Sequence, residues 1–132
     1  MTNNYQTPTD FNTKTIIGDV EIVYTDLKEI GQGGPQVGII SINNKVIYGC
    51  LFGGPFLYQN QFLYVPAYTK RFLGWGFKLT EININTLDIK AIGKTKNLIY
   101  LDKIEGNRIC FFEDVSKKGH SCFELDINID SE

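Results

Sequence analysis

The stretch Gly53-Gly54-Pro55-Phe56-Leu57-Tyr58-Gln59-Asn60-Gln61-Phe62-Leu63-Tyr64-Val65-Pro66-Ala67-Tyr68 carries five aromatic side chains and no charge in sixteen residues. Gln59, Asn60 and Gln61 separate two apolar segments, as the turn of a β-hairpin does. Because strand side chains alternate, folding on that turn puts Leu57, Phe62 and Tyr64 on one side. Phe56, Tyr58, Leu63 and Val65 fall on the other. Both faces are apolar, so this hairpin needs cover on both, from a second sheet or from a partner.

The pattern repeats outward along the chain. Segments 37–42 and 45–51 flank Asn43-Asn44, a pair that tolerates the positive φ of a two-residue turn. There Ile40, Ile42 and Ile47 share one face, with Val37, Ile39, Val46 and Tyr48 opposite. Segments 76–83 and 87–92 join through Asn85-Thr86, and 97–104 and 108–113 through Glu105-Gly106-Asn107. A first strand is expected at 16–24 and a last one at 120–128. No apolar helical period persists; one short helix over 25–30 is the sole candidate. The tripeptide Gly-Gly-Pro occurs at 33–35 and again at 53–55, each time before a hairpin. The expected fold is all-β: an antiparallel meander of about nine or ten strands, closed as a barrel or folded as a two-sheet sandwich.

The chain of 132 residues is long enough for one core. Residues 15–132 read as that domain. Residues 1–14, rich in Asn, Thr and Pro, read as a loose N-terminal tail. A net charge of −2 argues against duplex DNA as a partner. No apolar run reaches the roughly eighteen residues of a membrane span. The first ten residues have neither the basic start nor the apolar stretch of a signal peptide, so a cytoplasmic protein is expected. Cys50, Cys110 and Cys122, odd in number and widely spaced, read as free, buried thiols.

Charge is distributed unevenly. No acid occurs between Glu29 and Glu81, a span where the chain average would place about six. That interval holds Lys45, Lys70, Arg71 and Lys78, and ten of the seventeen aromatic residues. The region from Asp102 onward reverses this, with eight acids against four bases.

Searching for chemistry yields little. His120 is the only histidine, which excludes a multi-histidine zinc site. His120 and Cys122 share a strand face, but no third group orients them. Cys50, Cys110, His120 and Cys122 lack the spacing of a zinc knuckle. Gly31-Gln32-Gly33-Gly34-Pro35 has the glycines of a phosphate loop without the helix or the Gly-Lys-Ser/Thr. No cofactor, metal or enzymatic activity is expected.

Single-domain size, an absent catalytic constellation and polarised charge together resemble the profile of small immunity proteins, which neutralise a toxin by covering it. On that expectation the partner is a cognate protein such as a basic toxin, met by an acidic face of Asp102, Glu105, Glu113, Asp114, Glu124 and Asp126. The alternative is a module for a glycan or single-stranded nucleic acid, using residues 48–77 with Tyr58, Tyr64, Tyr68, Lys70, Arg71 and Trp75 as the contact patch. A homodimer that covers the doubly apolar hairpins is the third expectation.

Overall fold

The computed structural model describes residues 6–72 and 74–125. Eleven strands lie within them: β1 (Lys14–Ile17), β2 (Val20–Glu29), β3 (Gln36–Ile42), β4 (Lys45–Val46), β5 (Leu57–Gln59), β6 (Phe62–Lys70), β7 (Trp75–Asn83), β8 (Ile89–Lys96), β9 (Tyr100–Glu105), β10 (Arg108–Phe112) and β11 (His120–Glu124). All pairings are antiparallel. The sheets run β1-β2-β3-β4, β5-β6-β7-β8 and β9-β10-β11, each an open meander of hairpin neighbours, so the barrel alternative is not formed.

Turn chemistry sets the connections. Asn43 and Asn44 take φ of 50° and 68°, and Asn60 and Gln61 take 53° and 68°. Gln59 already pairs with Phe62, so the second turn is two residues long. Gly18, at φ 61°, splits the expected first strand into β1 and β2. The two Gly-Gly-Pro tripeptides differ in backbone: Gly54-Pro55 is cis and Gly34-Pro35 is not.

Two local expectations are corrected. The stretch 25–30 is not helical. Residues 25–29 continue β2, with Asp26 at φ 55° and a register shift between Thr25 and Lys28. That bulge breaks the period-two pattern and leaves Leu27 and Ile30 spaced as on a helix. Likewise the strand expected over 45–51 ends at Val46. After an interruption, Phe52 exchanges both backbone hydrogen bonds with Gly38 of β3 (2.8 and 2.9 Å). On the other side, Gly53 N–H donates to Pro66 and Tyr68 N–H to Leu51, each at 2.8 Å. Residues 51–53 thus bind the two four-stranded sheets into one continuous surface.

Two apolar clusters follow. Ile22, Tyr24, Ile40 and Ile42 of the first sheet meet Phe52, Phe56, Leu63, Val65 and Ile82 in one. In the other, Leu57, Tyr64, Phe77 and Leu79 meet Leu101, Ile109, Phe111 and Phe123 of the third sheet. The β5–β6 hairpin is therefore covered on both faces from within the chain, and its residues divide between the faces as the alternation requires. In β3 and β4 the second face is covered less completely. Val37 is buried, Ile39 and Val46 are half-buried, and Tyr48 is 84% exposed.

The cysteines depart from expectation. Cys110 and Cys122 are directly opposed on β10 and β11, with Cα atoms 4.0 Å apart, and are joined as a disulfide. Register puts the two sulfurs together, which wide sequence spacing conceals. Cys50 is free and half-buried.

Residues 6–14, expected as part of a loose tail, are packed on the fold. Phe11 is buried in the first cluster, Gln36 N–H donates to the Pro8 carbonyl at 3.0 Å, and Tyr100 Oη donates to that of Gln6 at 2.8 Å. Residues 1–5 of the expected tail lie outside the described residues.

Candidate functional site

β6 is the strand from which the site is built. Its residues Phe62, Tyr64, Pro66, Tyr68 and Lys70 point to one face, the face on which the third sheet packs. At the Lys70 end the third sheet gives no cover. There Tyr68 and Lys70 join Ile39, Ile47, Tyr48, Gly49, Cys50 and Leu51 around an open hollow of about 400 Å³. The interruption after β4 creates this hollow, because residues 48–50 leave the sheet between Ile47, bonded to Ile40, and Leu51, bonded to Tyr68.

The β6–β7 connection carries the next residues. Lys70 pairs with Trp75, and Arg71 N–H donates to the Gly74 carbonyl at 3.0 Å. The Arg71 guanidinium lies over Gly76, where a Cβ would stand 2.6 Å from Nε, and Nη1 donates to Asn97 Oδ1 at 2.7 Å. Only glycine at 76 permits that approach. Trp75 and Tyr68 both stand edge-on to Phe77, with ring centroids 5.7 and 6.3 Å away. At the tip Phe72 is 99% exposed.

Of the expected aromatic and basic patch, Tyr68, Lys70 and Trp75 share one face at this end of the sheet, whereas the Arg71 guanidinium, over Gly76, lies against the opposite face. Tyr58 points to the opposite face of the sheet, and Tyr64 lies toward the other end of β6. Tyr64 is buried and donates its hydroxyl to Glu81 Oε2 at 2.9 Å. Burial, reinforced by that carboxylate, pushes its phenol well above the ordinary range. Tyr48 and Phe72, absent from the expected patch, are its most exposed aromatics. The signal for Phe72 was its place between two strands, beside Arg71 and ahead of Gly74, where no neighbouring layer reaches.

Asp102, Glu105 and Glu124 lie on the third sheet, interleaved with bases, and Glu113 and Asp114 lie in the loop that follows β10. Asp102 Oδ2 is 3.5 Å from His120 Nε2, and Glu105 pairs with Lys103 at 2.9 Å. The Lys103 ammonium holds the Glu105 carboxyl below its usual range. Arg108 stands in register between Glu105 and Glu124. Glu113 accepts from Ser121 Oγ at 2.8 Å. Asp114 caps its own loop through Lys118 N–H and Ser116 Oγ, which lower its pKa. Asp126 lies outside the described residues. His120 rests on the Phe112 ring at 4.8 Å, and its neighbour Cys122 is held in the disulfide. Among the described residues no cluster of three or more His, Cys, Asp or Glu could hold a metal, and no helix is long and apolar enough to cross a membrane. Compared with protein-family models, curated proteins and solved structures, the chain matches none.

Proposed function

We propose that this chain is a non-enzymatic protein-binding module that docks through the aromatic, basic end of β6 and β7. The observation that carries the reading is the full exposure of Phe72 at a hairpin tip that continues from Lys70 and Arg71. A large apolar ring held in water has no value to the fold, and aromatic residues beside Arg are the usual anchors of interfaces. Tyr48 beside the adjoining hollow supplies a second anchor. With no acid between Glu29 and Glu81, the complementary partner surface is acidic with an apolar pocket. The immunity role deepens this reading: a module of this size would neutralise a cognate toxin by occluding it. The carboxylates of the third sheet are less suited to the contact, because Lys103 and Arg108 compensate them.

The test is retention of a stoichiometric protein partner from native lysate by the tagged chain. Phe72→Ser and Lys70→Glu are expected to release that partner while leaving the chain folded. Release by Glu113→Lys with Asp114→Lys, and not by the first pair, would transfer the contact to the acidic sheet.

A further inference from the structure

The opposite end of the same β6 face opens into a second, larger cleft of about 810 Å³. That volume falls in the ~300–1,000 Å³ range of small-molecule sites. Its floor can be read from strand register. Leu57, Tyr64, Glu81 and Lys90 form one cross-strand row over β5, β6, β7 and β8. Gln59 and Phe62 form part of the row beyond it, and Ile92 belongs to the row beneath, where the core begins. The turn at Gly106 and Asn107 and the end of β11 at Glu124 and Leu125 make the wall. Leu125 N–H donates to the Asn107 carbonyl at 2.7 Å, which ties the wall together.

Positions 77, 79 and 81 of β7 share this face. The first two are buried Phe77 and Leu79, and the third is the carboxylate of Glu81. Tyr64 holds one oxygen of that carboxylate, and Glu81 is among the residues lining the cleft. Lys90 stands directly across from Glu81, yet forms no ion pair with it among the described residues. Phe62 is half-buried beside Tyr64, with ring centroids 6.5 Å apart. The amides of Gln59, Asn60 and Asn107 complete the lining.

This chemistry selects a class of ligand. Glu81 and Lys90 on the floor cancel and Glu124 in the wall adds a second carboxylate, so a phosphate or nucleotide finds no net positive field. A wholly apolar ligand would strand the Lys90 ammonium and leave Glu81 with Tyr64 as its one side-chain partner. A sugar ring answers both features. Its C–H face stacks on an aromatic ring, while each hydroxyl both donates and accepts, as carboxylate, ammonium and amide groups together require. We propose that this cleft binds a neutral oligosaccharide, with one ring against Phe62 and hydroxyls held by Glu81, Lys90 and the amides of Asn60 and Asn107. The Tyr64 hydroxyl positions Glu81 rather than touching the ligand.

The experiment uses the full chain on an array of neutral and acidic glycans, followed by amide chemical-shift titration with the best-bound neutral glycan. Saturable shifts at Gly93, Gly106 and Asn107 are expected. Glu81→Gln and Asn107→Ala should each weaken binding about tenfold, the loss of one well-placed hydrogen bond. Phe72→Ser should leave the affinity unchanged, which separates this site from the protein-docking tip. Three results would overturn the proposal: binding to no neutral glycan, binding confined to acidic glycans, or shifts that survive both cleft substitutions in a chain with an unchanged amide spectrum.

Discussion

Gly93 of β8 and Phe123 of β11 meet where the third sheet docks on the second. Gly93 has φ 74°, and a Cβ there would stand 2.6 Å from Cδ1 of Phe123. The Phe123 ring, stacked on Phe111 at 4.6 Å, has no room to retreat. Gly93→Ala should therefore cost about 1–3 kcal/mol by overpacking, with the positive φ adding to it. Urea unfolding measures this, and a neutral substitution would mean that the two layers are not in close contact.

Tyr24 gives a pH signature. Its hydroxyl donates to the Gly53 carbonyl at 2.6 Å within the first cluster, and burial raises its pKa far above the ordinary phenol. The folded state keeps the proton while the unfolded chain loses it near pH ~10. This contribution is therefore complete below about pH 10 and falls by about 1.4 kcal/mol per pH unit above it. Tyr24→Phe should cost about 1–2 kcal/mol at neutral pH by stranding the carbonyl. The gap to the native chain should then close as pH rises from about 10 to 11. A gap that stays constant across that range would contradict a buried phenol.

Phe11 anchors the N-terminal segment. Its ring lies 4.7 Å from that of Tyr24 and against Gly54, where a Cβ would come within 2.8 Å. Phe11→Ala should destabilise the domain by about 3–5 kcal/mol, as for other large-to-small core changes. Thermal unfolding of the variant reads this directly, and an unchanged Tm would leave the segment dispensable.

The Cys110–Cys122 disulfide closes a short loop of sequence separation 12. By loop-closure entropy it should contribute about 2–3 kcal/mol. A thiol reductant should lower the Tm of the native chain and leave that of a Cys110→Ser, Cys122→Ser double variant unmoved. Equal sensitivity of both chains would show that the bond carries no stability.

Phe72 should behave oppositely to Phe11. As an exposed tip residue its replacement by Ser should change stability by less than about 0.5 kcal/mol. Urea midpoints compare the two chains. A larger loss would mean that the ring packs on the fold, and would remove the premise of the docking surface.

Much of the architecture was legible because it rests on local rules. Asn43-Asn44 marked a hairpin since both residues accept a left-handed backbone, and alternation then placed Ile40, Ile42 and Ile47 on one face. The bulge at Asp26 was not legible: one inserted residue shifts the alternation, so Leu27 and Ile30 fall at helical spacing. The disulfide was hidden for a related reason, since the register of β10 and β11 is a pairing between strands and not a spacing along one. For the candidate sites, sequence grouped Tyr68, Lys70, Arg71 and Trp75 and left out Phe72 and Tyr48, which the structure shows to be the more exposed rings. It grouped Tyr64 with them although it lies toward the far end of β6.

What the sequence determined by itself is the class of object: an antiparallel all-β domain whose β5–β6 hairpin demands cover on two faces. Periodicity and turn residues suffice for that, since each acts within a few positions of the chain. Only the tertiary structure decided which aromatics became core and which became surface. The third sheet covers the middle of one β6 face and stops short of both ends. Phe77 is buried beneath it, whereas Tyr48 and Phe72, of the same chemistry, remain in water. The difference lies in how far a sheet distant in sequence reaches, a long-range packing outcome that no local pattern encodes.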